Sequence, residues 1–174
     1  MSVTSKYLIA ILPPQPLAAG IYQLKEYFRD KYNSKASLNS PAHITLHMPF
    51  ELDPDKEENI HKIHDLKFKP FQIELQGFSC FEPGVIYIDV KQNNQLKDLQ
   101  SKVEEFCKLE LNLFNAKYRD RPFHPHITLA FRDLKKTMFQ TAWNDFKDKP
   151  YTASFETHKV SVLKHDGKFW REFS

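Results

Sequence analysis

The sequence is poor in the features that place a protein most quickly. It has two cysteines in 174 residues, Cys80 and Cys107. They are too few and too far apart for a disulfide scaffold, and with no secretory signal they read as buried free thiols. No apolar run is long enough to span a membrane. The nearest approach, Tyr7 to Leu12, halts at Pro13-Pro14 and has no small-residue cleavage site, so a cytoplasmic protein without a membrane partner is expected. There is no dense basic tract and no low-complexity linker. Lys and Arg number 25 against 22 Asp and Glu, and the net charge of +3 permits a phosphate-bearing partner without demanding one.

What the chain does contain is an ordinary globular composition, 41% hydrophobic and 27% charged. Fifteen Phe, seven Tyr and two Trp supply enough apolar bulk for a core that needs no staples. The length suits one domain, or two small lobes sharing a core. A strand is expected over 6–12, ended by Pro13-Pro14-Gln15-Pro16. Leu17, Ile21, Leu24 and Phe28 repeat at helical spacing and predict a helix over 17–32. A strand over 43–50 follows Ser40-Pro41, then a short helix over 57–66 with Ile60, Ile63 and Leu66 inward. Two strands, 71–78 and 85–91, meet at a turn around Glu82-Pro83-Gly84. Leu96, Leu99, Val103 and Phe106 predict a second long helix over 94–111. A strand over 123–131, a helix over 138–146 and a hairpin of 155–163 with 168–173 around Asp166-Gly167 complete the chain. The order strand, long helix, strand thus occurs twice, and two αβ lobes around a shared cleft are the economical reading: an α+β fold forming a single bilobal domain over residues 1–174.

One tetrapeptide also occurs twice, as His43-Ile44-Thr45-Leu46 and His126-Ile127-Thr128-Leu129, once in each half. Alternate side chains of a strand share a face. His43 with Thr45, and His126 with Thr128, therefore project as polar pairs backed by aliphatic anchors, a rigid mounting for a site. Near neutral pH one imidazole can accept a proton while another donates one. In-line attack on a phosphodiester needs both, and the threonine hydroxyls can donate to non-bridging phosphate oxygens. A single His-x-Thr is usually an idle polar face; two identical copies in matching contexts point to function. His47 and His124, on the same predicted faces, raise a metal reading. No cysteine or carboxylate accompanies them and threonine is a poor ligand, so they are read as rim or solvated groups, and no metal or cofactor is assigned. His61 and His64 lie on a charged helix.

At these residues the sequence resembles the 2H phosphoesterase superfamily, whose members carry two His-x-Thr/Ser motifs, one per lobe, and include RNA 2',3'-cyclic phosphodiesterases and the 2'-5' RNA ligase group. The stretch from Phe123 to Phe131, FHPHITLAF, is similar to the downstream motif. The resemblance implies two pseudo-symmetric αβ lobes, each with an antiparallel sheet, and a cleft between them. It implies His43 and His126 as acid and base, with Thr45 and Thr128 holding the phosphate. Many relatives have a basic residue directly after the Leu-Ala of the second motif; here Phe131 intervenes before Arg132. Tyr87, alternating with Ile86 and Ile88, is a candidate for stacking on a base or a core tyrosine. Lys164 is a candidate for neutralising phosphate charge or a solvated lysine, and Arg121 has similar standing.

The expected function is metal-independent hydrolysis of 2',3'-cyclic phosphate or 2'-5' linked nucleotides or RNA ends, with a nucleotide or RNA terminus as partner. The same groups could run the reverse, ligating reaction. The rival readings are a non-catalytic nucleotide-binding module of the same fold, and a metal-dependent hydrolase using His47, His124 and His126.

Overall fold

The computed structural model describes residues 3–114 and 122–174, and among these the alternation and periodicity in the sequence translate into eight strands and four α-helices. The first half runs β1 (Ser5–Ile11), α1 (Leu17–Tyr32), β2 (Ile44–Leu52) and α2 (Glu57–His61). Next come β3 (Phe71–Phe81), β4 (Val85–Val90), α3 (Asn94–Leu111) and β5 (His126–Ala130). The chain closes with α4 (Lys136–Phe146), β6 (Thr152–Thr157), β7 (Ser161–His165) and β8 (Trp170–Phe173).

The two long helices fall on the boundaries that their periodicity predicts, for local reasons. α1 buries Ile21, Phe28 and Tyr32 on one stripe and ends where Asn33 turns left-handed at φ 56°. α3 begins at Asn93, whose side chain accepts the Leu96 N–H, buries Leu96, Leu99, Val103, Cys107 and Leu111, and ends at Asn112, φ 55°. In β3, Phe71, Ile73 and Leu75 are buried while Gln72, Glu74 and Gln76 face solvent.

The strands form two antiparallel sheets, ordered β2-β1-β7-β8 and β5-β4-β3-β6. Each unit β1-α1-β2 and β4-α3-β5 folds alike: its two strands pair antiparallel and the motif strand, β2 or β5, takes the sheet edge. The edges meet, since β2 packs against β5, α1 against β5 and α3 against β2. One continuous core draws Ile9 and Ile44 from the first sheet and Ile88 and Ile127 from the second. Each lobe's helix thus supports the other lobe's motif strand.

Three expectations need correction. The strand expected over 155–163 breaks at His158 to Val160: β6 joins β3 in the second sheet and β7 joins β1 in the first. The closing hairpin is therefore β7 with β8 alone. The helix expected over 57–66 is one α-turn followed by a 3-10 turn, Lys62–Asp65, with Ile60 and Ile63 buried and Leu66 packed at the core margin. The second motif strand begins only at His126, and His43 stands one residue ahead of β2.

Candidate active site

Because β2 and β5 are edge strands lying against one another, their repeated tetrapeptides come together. Ile44, Leu46, Ile127 and Leu129 are fully buried, and the alternate positions face the opposite way. His43, Thr45 and Thr128 line one cavity of about 360 Å³, within the ~300–1,000 Å³ range of small-molecule sites. His126 does not line that cavity; its ring lies beside it, 4.9 Å from the Tyr87 ring and 5.2 Å from that of Phe81. It is close enough to His43 for its charge to lower the proton affinity of that residue.

Both motif histidines are held in the same way. His43 Nδ1 is 2.7 Å from the Pro41 carbonyl and His126 Nδ1 is 2.6 Å from that of His124, each two residues upstream. A carbonyl oxygen only accepts, so each Nδ1 carries the hydrogen and donates it, leaving the Nε2 lone pair for chemistry. Burial pushes the proton affinity of His43 down, to about 4; the Pro41 carbonyl opposes this, while the charges of Lys25 and His126 add to it. His126 is also lowered by burial, with the His124 carbonyl and Asp89 acting in the opposite sense.

The loop that leads into the first motif is fixed from below. Lys25, 1% exposed, donates to the carbonyls of Ser37 and Ser40, each at 2.9 Å, and burial lowers its proton affinity to about 8. Ser37 Oγ donates to the Leu129 carbonyl at 2.6 Å, tying this loop to the second motif strand. Asp133 accepts from Ser34 Oγ and from the N–H groups of Lys35 and Ala36. Lys25 has a sequence signal after all: four residues after Ile21 and three before Phe28, it lies on the buried stripe of α1. The cavity residues Lys6, His165, Lys168 and Trp170 carry no motif and are scattered along the chain, while Arg132 is the basic residue that follows the second motif after Phe131.

Several sequence-predicted residues are placed elsewhere. Tyr87 is 2% exposed, its ring packed 4.5 Å from Phe81 and its hydroxyl 3.2 Å from His124 Nε2. It is a core tyrosine under the His126 ring and has no free face for a base. Lys164 points to the opposite sheet face from the cavity, paired with Tyr7 in register, and its Nζ is 2.6 Å from Glu57 Oε1. That contact, beside the Tyr7 and Phe173 rings, holds it as a structural ion pair. His47 is displaced by an irregularity: Ala10 pairs with Thr45 but Ile9 with His47, so one extra residue, Leu46, is inserted and the alternation flips. His47 is consequently buried, at 3% exposure, against Phe50. His124 is exposed, 3.4 Å from Asp89. His47, His124 and His126 therefore do not converge, and no group of three potential ligands able to hold a metal occurs among the described residues. Arg121 lies outside the described residues.

Two antiparallel sheets with paired His-x-Thr edge strands define a two-lobed fold with known counterparts. The fold matches that of E. coli LigT complexed with 3'-AMP at a TM-score of 0.69 and 18% identity, over 99% of this chain and 97% of that one. It also matches TT0787 of Thermus thermophilus at 0.64 and 17% identity, over 97% and 95%. Residues 13–169 match the model of the 2'-5' RNA ligase superfamily, and the chain belongs to that superfamily. A Geobacillus kaustophilus (strain HTA426) protein named "Putative phosphoesterase GK0864" is 33% identical over 150 residues, covering 82% of this chain and 78% of its own. Membership supports phosphoesterase activity in general. No described helix is long and apolar enough to cross a membrane.

Proposed function

We propose that the chain, acting as one bilobal unit over residues 1–174, hydrolyses 2',3'-cyclic phosphate ends of nucleotides or RNA without a metal or cofactor. The observation that carries this reading is the matched pair of imidazoles, each with Nδ1–H tied to the carbonyl two residues back and Nε2 without a hydrogen-bond partner among the described residues. One Nε2 takes a proton from water as its oxygen bonds to phosphorus. The bond from phosphorus to one ribose oxygen breaks, and the other histidine gives that oxygen its proton, leaving a phosphomonoester. Thr45 and Thr128 donate to the non-bridging oxygens as charge builds there.

Both imidazoles are biased toward the neutral form in the free chain. A bound phosphodiester anion raises the proton affinity of its neighbours, which lets one of them hold the proton the leaving oxygen needs. The roles exchange if the reaction runs in the ligating direction. LigT has been captured with 3'-AMP and with ATP, which supports a nucleotide as the substrate class.

The test is a screen of nucleoside 2',3'-cyclic phosphates and 2'-5' linked dinucleotides, with and without EDTA, on the wild type and on the His43→Ala/His126→Ala double variant. Turnover that survives EDTA, follows a bell-shaped pH profile and disappears in the double variant is expected. Measurable nucleotide binding without turnover of any compound would replace this reading with a binding module of the same fold.

A further inference from the structure

The mouth of the cavity has a charge pattern that the reacting phosphate does not require. Three cations line it, Lys6, Arg132 and Lys168, and no carboxylate does among the described residues. None of the three is within ion-pair distance of a carboxylate among the described residues, although Glu51 stands opposite Lys6 in register; Lys31, Lys62, Lys91, Lys108, Lys159 and Lys164 are all ion-paired. Unneutralised cations around a concave wall concentrate field on whatever occupies it.

Each of the three is carried on backbone that is held stiffly. Lys6 is on β1, between two paired strands. Arg132 has φ 62°, and the Asp133 N–H donates back to the Phe131 carbonyl at 2.6 Å, a γ-turn that a non-glycine residue adopts only under strain. The Asp133 carboxylate holds this turn in place through its bonds to Ser34, Lys35 and Ala36. Lys168 is at the tip of the β7–β8 hairpin. There Asp166 accepts from the N–H groups of Lys168 and Phe169 and from Arg171 Nε, and these bonds hold its carboxyl well below the usual carboxylate range. The acids closest in sequence to Arg132 and Lys168 are thus occupied with other donors, and the two cations lie over the Phe131 and Phe169 rings rather than against a carboxylate.

We infer that Lys6, Arg132 and Lys168 form a second anion subsite, so the preferred substrate carries a further phosphate beyond the one at the histidines. This rests on the proposed hydrolysis and names its substrate class: a 5'-phosphorylated nucleotide or longer strand rather than a bare nucleoside cyclic phosphate. Trp170 and His165, ring centroids 5.0 Å apart, line the same mouth as the three cations.

Two readouts separate this inference from the reaction itself. The first compares kcat/KM for adenosine 2',3'-cyclic phosphate with that for its 5'-phosphorylated form. The second compares Kd for two unreactive compounds, adenosine 2'-monophosphate and adenosine 2',5'-bisphosphate, by calorimetry. The added phosphate should improve each about tenfold or more at low salt, and the advantage should shrink as ionic strength rises. In Lys168→Gln, and in Arg132→Gly, which relieves the left-handed backbone while removing the cation, both ratios should fall toward one. Lys97→Gln, on the outer face of α3, should leave them unchanged. Equal kcat/KM and equal Kd for the members of each pair in the wild type, or ratios untouched by Lys168→Gln and Arg132→Gly, would overturn the subsite. If neither cyclic phosphate is turned over, the hydrolytic reading fails, and the Kd ratio alone still decides the subsite.

Discussion

The two lobes present the same tetrapeptide in unlike surroundings. Their scaffolding is duplicated: each motif is on an edge strand, backed by buried Ile and Leu, with the histidine Nδ1–H donated to the carbonyl two residues upstream. Their neighbours are not. Opposite Thr45 in register stands Ala10, whereas opposite Thr128 stands Tyr87, and opposite His126 stands Asp89. His43 is influenced by the charge of buried Lys25, His126 by a carboxylate and a packed aromatic wall. The repeat therefore fixes where the two imidazoles are delivered, while the unrepeated neighbours fix what proton affinity each has. Two-fold delivery with one-sided electrostatics is what a site needs when one group must accept a proton as the other gives one away.

The sharpest way to break this comparison is to remove each histidine in turn. His43→Ala and His126→Ala should each lower kcat/KM for a cyclic phosphate about 10²–10⁴-fold. Because the two act as one unit, the double variant should be little worse than either single one. Steady-state kinetics would decide it, and a single variant that keeps near wild-type turnover would leave only one lobe catalytic.

Next comes the aromatic wall that only the second lobe has. Tyr87→Ala removes a fully buried ring beneath His126 and should cost about 3–5 kcal/mol of stability in urea unfolding. Tyr87→Phe keeps the ring and loses only the hydroxyl's contacts, to exposed His124 and to Ser79, and should cost about 1 kcal/mol. If Tyr87→Ala were tolerated as easily as Tyr87→Phe, the wall would not be holding the ring.

A pH titration sharpens the contrast from the side of the first lobe. The proton affinity of His43 is lowered on folding from 6.5 to about 4. Between these values the unfolded chain binds more protons than the folded one, so the His43 contribution is complete above pH 6.5 and is lost as pH falls through 4. The size of that contribution is about 3 kcal/mol. The fall in unfolding free energy between pH 7.5 and pH 4 should be smaller by this amount in His43→Leu than in the wild type. Identical pH slopes for the two proteins would mean that His43 is not held in a buried, neutral state.

Much of this was legible in the sequence because it depends on local period. α1 and α3 follow their apolar repeats, and the paired His-x-Thr strings lead directly to two edge strands. What the sequence hid depends on pairing partners. Val160 continues an apolar run, yet β6 and β7 bond to different sheets, so the apparent single strand divides. Lys164 directly follows the expected strand 155–163, and its cross-strand partner Tyr7 assigns it to the face away from the cavity. Tyr87 reads equally as stacking or core until Phe81 is seen against it. Arg132 and Lys168 reach the cavity through a γ-turn and a hairpin tip, which leave no periodic trace.

His47 gives the smallest effect and the most direct test of how far the likeness of the lobes extends. Strict alternation would place it beside His43 and Thr45, facing the cavity. The inserted Leu46 instead turns it into the core, where its Nδ1 donates to the Met48 carbonyl at 2.8 Å and its Nε2 has no partner among the described residues. An unpaired buried nitrogen costs free energy that a leucine of similar size does not, which offsets the loss of the Nδ1 bond. His47→Leu should therefore leave the unfolding free energy within about 1 kcal/mol of the wild type and leave kcat/KM essentially unchanged, in contrast to the collapse expected of His43→Ala. A tenfold loss of kcat/KM with stability intact would mean that His47 does reach the substrate, and that the irregularity in β2 does not turn it away from the site.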